Sequence, residues 1–86
     1  MITIEQIRGA RAMLGLKQKD LAAKANISTG TLNNIERGVQ KDPKISTLKA
    51  IQDALEKEQI MFISDVSGAL GVSMIPKVGN QKYPKI

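Results

Sequence analysis

The apolar residues of this chain follow a helical period over its first two thirds and form short unbroken runs nearer its end. In the first helical stretch they recur every three or four positions, at Ile4, Ile7, Ala10 and Leu14. Thr3 followed by Gln6 is a capping-box pattern for the start of this helix, and Gly15 is a typical left-handed residue for its end. The pattern therefore predicts a first helix between Thr3 and Gly15.

Three further helices follow from the same signals. A second is predicted over residues 18–25, ended by Asn26 because asparagine tolerates the left-handed conformation. Its inner side carries Leu21, Ala22 and Ala25. A third is predicted to run from an N-cap at Ser28 to about Arg37. A fourth is predicted to begin at an N-cap on Ser46, with an apolar stripe made of Leu48, Ile51 and Leu55.

Beyond the fourth helix the pattern changes to that of strands. Two short apolar runs, residues 60–64 and 71–75, are predicted to pair as a hairpin with a long loop between them. From Pro76 onward the composition is typical of a loose basic tail. The predicted fold is mainly α, four helices with a C-terminal β-hairpin, divided into a helical domain (1–58), the hairpin (59–76) and the tail (77–86).

The second and third predicted helices form a helix-turn-helix unit. The turn between them is Asn26-Ile27, and Ile27 is expected to fill the space between the two helices. Such a unit lets one helix cross the phosphate backbone of DNA while the next lies in the major groove. At about 100° per residue, the core-facing side of the third helix is predicted to hold Thr31, Leu32 and Ile35. The opposite side carries groups suited to reading base edges: Thr29, Gly30, Asn33, Asn34 and Arg37.

The residue inventory argues against an enzyme. The 86 residues are enough for one domain, and a hydrophobic fraction of 42% is typical of a globular protein. The sequence contains no Cys and no His, which excludes zinc clusters, thiol nucleophiles and Ser-His-Asp triads. Glu36, an acid on the third predicted helix, has no second group placed for acid–base catalysis. We expect no catalytic residue, no metal and no cofactor.

The charge distribution points to a polyanionic partner. The net charge is +5, from 13 Lys and Arg against 8 Asp and Glu. Between Arg8 and Lys49 there are nine basic residues against three acidic ones, a local net charge of +6. The longest apolar run, residues 60–63, is far short of the roughly 20 residues that span a bilayer, and the first residues lack a secretory-signal pattern. We expect a cytoplasmic protein with no membrane partner.

A longer motif makes the helix-turn-helix prediction specific. From Arg8 to Gly38 the sequence follows the pattern R-x-x-R-x-x-L-G-L-x-Q-x-x-L-A-x-x-A-N-I-S-x-G-T-L-x-x-I-E-R-G. This segment resembles the XRE-type, lambda-repressor-like helix-turn-helix family, and the similarity covers roughly residues 4–58. The following stretch, A-L-E-x-x-x-I-x-F-I, is similar to a compact subgroup in which a strand succeeds the fourth helix. The resemblance implies a four-helix domain that binds double-stranded DNA.

The resemblance also implies roles for individual residues. Gln18 matches the family glutamine that contacts a backbone phosphate and steadies the recognition helix. Ser28 matches the N-cap position, where phosphate meets the start of that helix. Base contacts are implied for the start and outer side of the third helix, at Thr29, Gly30 and Asn33, with Thr31 and Asn34 as neighbours within reach. Positions that hold the phosphate backbone are matched by Arg37, Lys41 and Lys44.

Two positions depart from the family pattern and one pair agrees with it. Lys17 stands where the family usually has a Ser or Thr that caps the second helix, so that cap is lost. Gly30 lies inside the recognition helix, where glycine costs roughly 1 kcal/mol of helix propensity, and it can read a base only by shape. Arg11 and Glu36 match a structural ion pair of the family.

These features predict a transcriptional regulator, specifically a repressor that binds a palindromic operator as a homodimer. Two copies are expected to pair through their hairpins and bury Ile60, Phe62, Val72 and Met74 between them. The rival arrangement is a monomer in which the hairpin folds back onto its own fourth helix. A different functional class is also open: a protein-interaction module, such as an antitoxin or adaptor, on the same scaffold.

Overall fold

A computed structural model describes residues 1–75 as four helices followed by a two-stranded hairpin. The helices are α1 (Ile4–Leu14), α2 (Gln18–Ala25), α3 (Thr29–Glu36) and α4 (Ile45–Lys57), and the strands are β1 (Ile60–Ser64) and β2 (Leu70–Met74). The predicted mainly α fold with a C-terminal hairpin is confirmed. The predicted tail, 77–86, lies outside the described residues.

The helix ends follow the local signals in the sequence. At the start of α1, the hydroxyl of Thr3 accepts a hydrogen bond from the Gln6 N–H at 3.2 Å. The Gln6 side chain in turn accepts one from the Thr3 N–H at 3.0 Å, which completes the capping box. Gly15 ends α1 with φ 67°, and Asn26 ends α2 with φ 57°, both in the left-handed region.

The start of α4 differs from the prediction. Its N-cap is Lys44, which makes no side-chain capping hydrogen bond, and Ser46 already lies within the first turn. The Lys44 carbonyl accepts the first helical bonds, from the N–H groups of Thr47 and Leu48 at 3.0 and 3.1 Å. The first turn is therefore held by packing of the following apolar stripe and not by a capping hydroxyl.

The four helices enclose one aliphatic core. Its largest fully buried side chains come from all four helices: Ile7, Leu21, Leu32, Ile35, Ile51 and Leu55. Small residues between them, such as Ala10 and Ala22, allow the helices to pack closely. Burial of this shared core fixes α3 on α1 and α2, which leaves one side of α3 outside.

The hairpin has an antiparallel register that starts one residue earlier than predicted. Ser64 pairs with Leu70 and Ile60 pairs with Met74, so the second strand begins at Leu70 instead of residue 71. The loop sets this register, because Asp65 accepts hydrogen bonds on its carboxylate from the N–H groups of Ser67 and Ala69, at 2.9 and 3.0 Å. This side-chain closure brings Ser64 opposite Leu70.

The hairpin packs on its own chain, against α1 and α4. The expected interface residues lie on this inner face: Ile60 is buried in the core, and the half-buried side chains packed against it include Phe62, Val72 and Met74. Within one chain these four side chains face the helices, and their contact with a second copy stays a prediction. The hairpin folds back within its own chain, as the rival arrangement predicted, and packs on α1 as well as on α4.

Candidate nucleic-acid interface

The turn between α2 and α3 fixes how the two helices cross. Asn26 adopts the left-handed conformation, and the next residue, Ile27, donates its N–H to the Ala22 carbonyl at 3.0 Å. The Ile27 side chain is half-buried and packs against the core. The turn is thus held by backbone hydrogen bonds to the end of α2 and by packing of the Ile27 side chain against the core.

The first turn of α3 is closed by its own hydroxyls and exposed to solvent. Ser28 accepts a hydrogen bond from the Thr31 N–H at 3.0 Å, and its hydroxyl donates to the Thr31 hydroxyl at 2.8 Å. Thr29 and Gly30 are exposed, and the first N–H groups of a helix have no acceptor within it. The start of α3 therefore presents backbone donors and hydroxyls at the protein surface, as anion contacts require.

The buried side of α3 differs from the predicted one at one residue. Leu32 and Ile35 are buried as predicted, but the third buried residue is Glu36, and Thr31 is exposed. Because Glu36 is drawn inward by a charged partner, the buried stripe is rotated away from Thr31. Thr31 accordingly joins the exposed residues of α3.

The charged partner of Glu36 is Arg11 of α1. The guanidinium donates through Nη2 to Oε1 at 2.9 Å and through Nε to Oε2 at 3.0 Å, a two-pronged contact. The remaining Arg11 nitrogen, Nη1, donates to the Leu16 carbonyl at 3.0 Å. The Glu36 side chain is 4% exposed and that of Arg11 is 26% exposed, so the pair ties α3 to α1 near the surface.

Two amide side chains extend this hydrogen-bonded group toward the exposed side of α3. Gln18, at the start of α2, donates from Nε2 to Glu36 Oε1 at 3.2 Å. Its Oε1 accepts a hydrogen bond from Asn33 Nδ2 at 3.1 Å. Sequence reasoning did not find these two contacts, because residues separated by 15 and 18 positions leave no local pattern.

The two neighbouring asparagines occupy different environments. Asn33 is half-buried and bonded to Gln18, whereas Asn34 is exposed and uses its carbonyl to accept the N–H groups of Val39 and Gln40, at 3.0 and 3.2 Å. These two bonds close the C-terminal end of α3. The Asn34 side chain remains on the outer side of the helix.

The basic residues after α3 are exposed and unpaired. Within residues 1–75, no carboxylate lies within 4.0 Å of Arg37, Lys41 or Lys44. Lys17, the N-cap of α2, is also exposed and makes no side-chain capping bond. The exposed side of α3 is therefore flanked by positive charge that the described part of the chain does not neutralise.

The described residues offer little other chemistry. Among residues 1–75, no three acidic side chains converge as they would around a metal ion. The pKa of Lys49 is raised by its hydrogen bond to Asp53, and the pKa of Asp65 is lowered by its hydrogen bond from Ser67; neither lies on α3. No described helix has the length and apolar character needed to cross a bilayer.

Comparison with known families agrees with this geometry. A family model described as helix-turn-helix matches residues 7–58, more than half of the chain and nearly all of its helical part. A search among curated proteins finds no matching relative. The matched region contains the α2–α3 unit, its apolar turn and the Arg11–Glu36 pair. This chain belongs to the XRE-type helix-turn-helix family of DNA-binding regulators.

Proposed function

We propose that this protein is a transcriptional repressor that acts in the cytoplasm by occupying a palindromic operator as a homodimer. The observation that carries the proposal is the exposed side of α3, which is polar, rigidly held and flanked by unpaired cations. Hydroxyls and amides on a helix of this kind suit the donor and acceptor pattern of the major groove. The flanking cations suit the phosphate backbone.

The DNA-contacting residues divide into two groups. Readers of base edges lie on α3, and we assign them as Thr29, Gly30, Thr31, Asn33 and Asn34. Residues that hold phosphate surround them, and we assign these as Gln18, Ser28, Arg37, Lys41 and Lys44. Asn34 is fully outside the core, while Asn33 reaches the surface from a half-buried position. We therefore expect both asparagines to contribute, Asn34 with the freer side chain.

The hairpin offers the homodimer a second apolar surface, besides the predicted one. The outer face of the hairpin carries Met61 and Ile63, 46% and 41% exposed, opposite the small residues Ser73 and Gly71. We assign this outer face as the contact between copies, because exposed apolar side chains grouped on one sheet face are typical of interfaces. Two copies are needed because one short recognition helix reads too few base pairs to find a site in a genome.

Two measurements test the proposal. Selection of binding sites from random DNA should return two inverted half-sites at a fixed spacing. Sedimentation equilibrium at micromolar concentration should give a dimer mass for the wild type and a monomer mass for Met61→Lys/Ile63→Lys. Lys49→Ala, an exposed change on α4, is the matched control and should leave the dimer intact. A single unpaired site or a monomeric wild type would contradict the homodimer.

The same apolar face supports one other candidate, a protein-interaction module such as an antitoxin or adaptor. Met61 and Ile63 would then contact a different protein in place of a second copy. In that case site selection would return no preferred sequence, and the wild type would sediment as a monomer. Those two results together would favour the interaction module.

A further inference from the structure

The hydrogen bonds of a buried carboxylate fix the orientation of two amide groups at the surface of α3. A carboxylate that binds a guanidinium through both oxygens can only accept hydrogen bonds. Glu36 binds Arg11 in this way, and its Oε1 also faces Gln18 at 3.2 Å. Gln18 must therefore turn its NH₂ group, and not its carbonyl oxygen, toward Glu36.

The orientation of the Gln18 amide in turn fixes the orientation of the Asn33 amide. With Nε2 of Gln18 facing inward, its Oε1 faces Asn33 and needs a donor, which Asn33 supplies from Nδ2 at 3.1 Å. The Oδ1 atom of Asn33 accepts no hydrogen bond within residues 1–75, and no buried side-chain polar atom among them lacks a partner. Oδ1 of Asn33 is therefore open to solvent.

We propose that Gln18 is a positioning residue that holds Asn33 with Oδ1 toward the DNA, so that Asn33 selects a base with an amino group in the major groove. This inference rests on the proposed function. Adenine and cytosine present such a donor, at N6 and N4. Guanine and thymine present acceptors at the equivalent place, and an acceptor facing Oδ1 is disfavoured.

The proposal separates two roles for Gln18 that a binding experiment can distinguish. A glutamine that only holds phosphate weakens binding to every sequence by the same factor when it is replaced. A glutamine that orients Asn33 changes the preference at one base position, because a released Asn33 amide can rotate and offer either of its ends. The readout is therefore the profile of base preference and not the affinity alone.

The experiment compares site selection by the wild type, Asn33→Ala, Gln18→Met and the double variant. Asn33→Ala should relax one base position, and the wild type should favour adenine or cytosine there by roughly 10-fold or more. Gln18→Met should reduce the preference at the same position to under about 3-fold. The double variant should lose no more preference there than Asn33→Ala alone, since both changes remove one coupled interaction. Arg37→Met, an exposed cation at the end of α3, should weaken all sequences alike.

A second measurement does not depend on DNA. The side-chain NH₂ signals of Asn33 in the NMR spectrum of the free protein should shift in Gln18→Met and stay in place in Arg37→Met. Wild-type preference for guanine or thymine at the Asn33 position, or a uniform loss in Gln18→Met, would overturn the inference while leaving the proposed function intact. A wild type that selects no sequence would overturn the proposed function. Asn33 signals that stay in place in Gln18→Met would overturn the inference separately, because they would show that Gln18 does not bind Asn33.

Discussion

At the residue scale, one buried acid organises the surface that we propose to contact DNA. Glu36 accepts hydrogen bonds from Arg11 of α1 and Gln18 of α2, so a single side chain ties three helices together beside the exposed side of α3. Burial of a carboxylate is costly unless it is paired and hydrogen-bonded, and here both oxygens are occupied. The position of α3 is thereby linked to one ion pair.

Removing this acid should destabilise the fold. Glu36→Ala leaves the Arg11 guanidinium without its partner in a partly buried place, and we expect a loss of about 2–3 kcal/mol in the free energy of unfolding, measured by urea denaturation. Lys49→Ala is the matched control, because it breaks the exposed Lys49–Asp53 pair, whose atoms are 2.7 Å apart, and should leave stability almost unchanged. Equal midpoints for Glu36→Ala and wild type would show that the pair does not hold α3.

Substitution of Gly30 is expected to affect the stability of the fold and the affinity for DNA in opposite directions. A methyl group added there would meet only the Ser28 hydroxyl, at 3.9 Å, so the fold does not require glycine at this exposed helical position. Gly30→Ala should raise the free energy of unfolding by up to roughly 1 kcal/mol, because alanine is the better helix former. We expect the same variant to bind operator DNA more weakly, because the added methyl group would lie between α3 and the base. A thermal melt and a binding titration on one preparation check both, and unchanged affinity would remove Gly30 from the interface.

Residue-level signals predicted most helix ends, with Ser46 of α4 as the exception, and predicted the buried side of α3 less well. Thr3, Gly15 and Asn26 act through their own neighbours, so local rules were sufficient. The helical period placed Thr31 on the buried side of α3 and left out Glu36, because a hydrophobic pattern treats glutamate as polar. The family resemblance implied the Arg11–Glu36 pair, which the structure contains, and this pair explains why Glu36, and not Thr31, completes the buried side.

At the element scale, the hairpin is an added layer that α1 and α4 stabilise. Buried Gln6 of α1 donates from Nε2 to the carbonyls of Ile63 and Gly71, at 3.2 and 2.9 Å, and so joins both strands to the helix. Gly9 of α1 faces β2, where a methyl group in its place would lie 3.4 Å from the Val72 side chain, in van der Waals contact. The strands were predictable from their composition, but these contacts across more than 50 residues were not.

The link through Gln6 predicts a stability difference between two variants of one capping box. Thr3→Ala removes the capping hydroxyl alone and should cost about 1 kcal/mol. Gln6→Ala removes the reciprocal capping bond and both strand contacts, and should cost clearly more, about 2–3 kcal/mol. Hydrogen exchange should also show faster exchange of the hairpin amides in Gln6→Ala alone. Equal losses and equal hairpin exchange in the two variants would contradict the link.

At the scale of the whole molecule, positive and negative side chains are concentrated in different parts of the chain. Residues 8–49 carry a net charge of +6, whereas residues 50–65 hold four acidic side chains against one lysine. The hairpin packs on α1 and α4, while α3 packs on α1 and α2. The basic part therefore includes the recognition helix, and the acidic part covers the end of α4 and the first strand of the hairpin, an arrangement that orients the molecule on a polyanion.

The dependence of DNA binding on salt tests the central claim most directly. We expect the affinity for the selected operator to fall log-linearly with salt, by roughly 10⁴-fold between about 50 and 200 mM, as for about four phosphate contacts per copy in a dimer. Throughout this range the operator should stay preferred over a scrambled duplex by on the order of 10³-fold. Binding that barely responds to salt and does not distinguish the two duplexes would contradict a sequence-specific DNA-binding function.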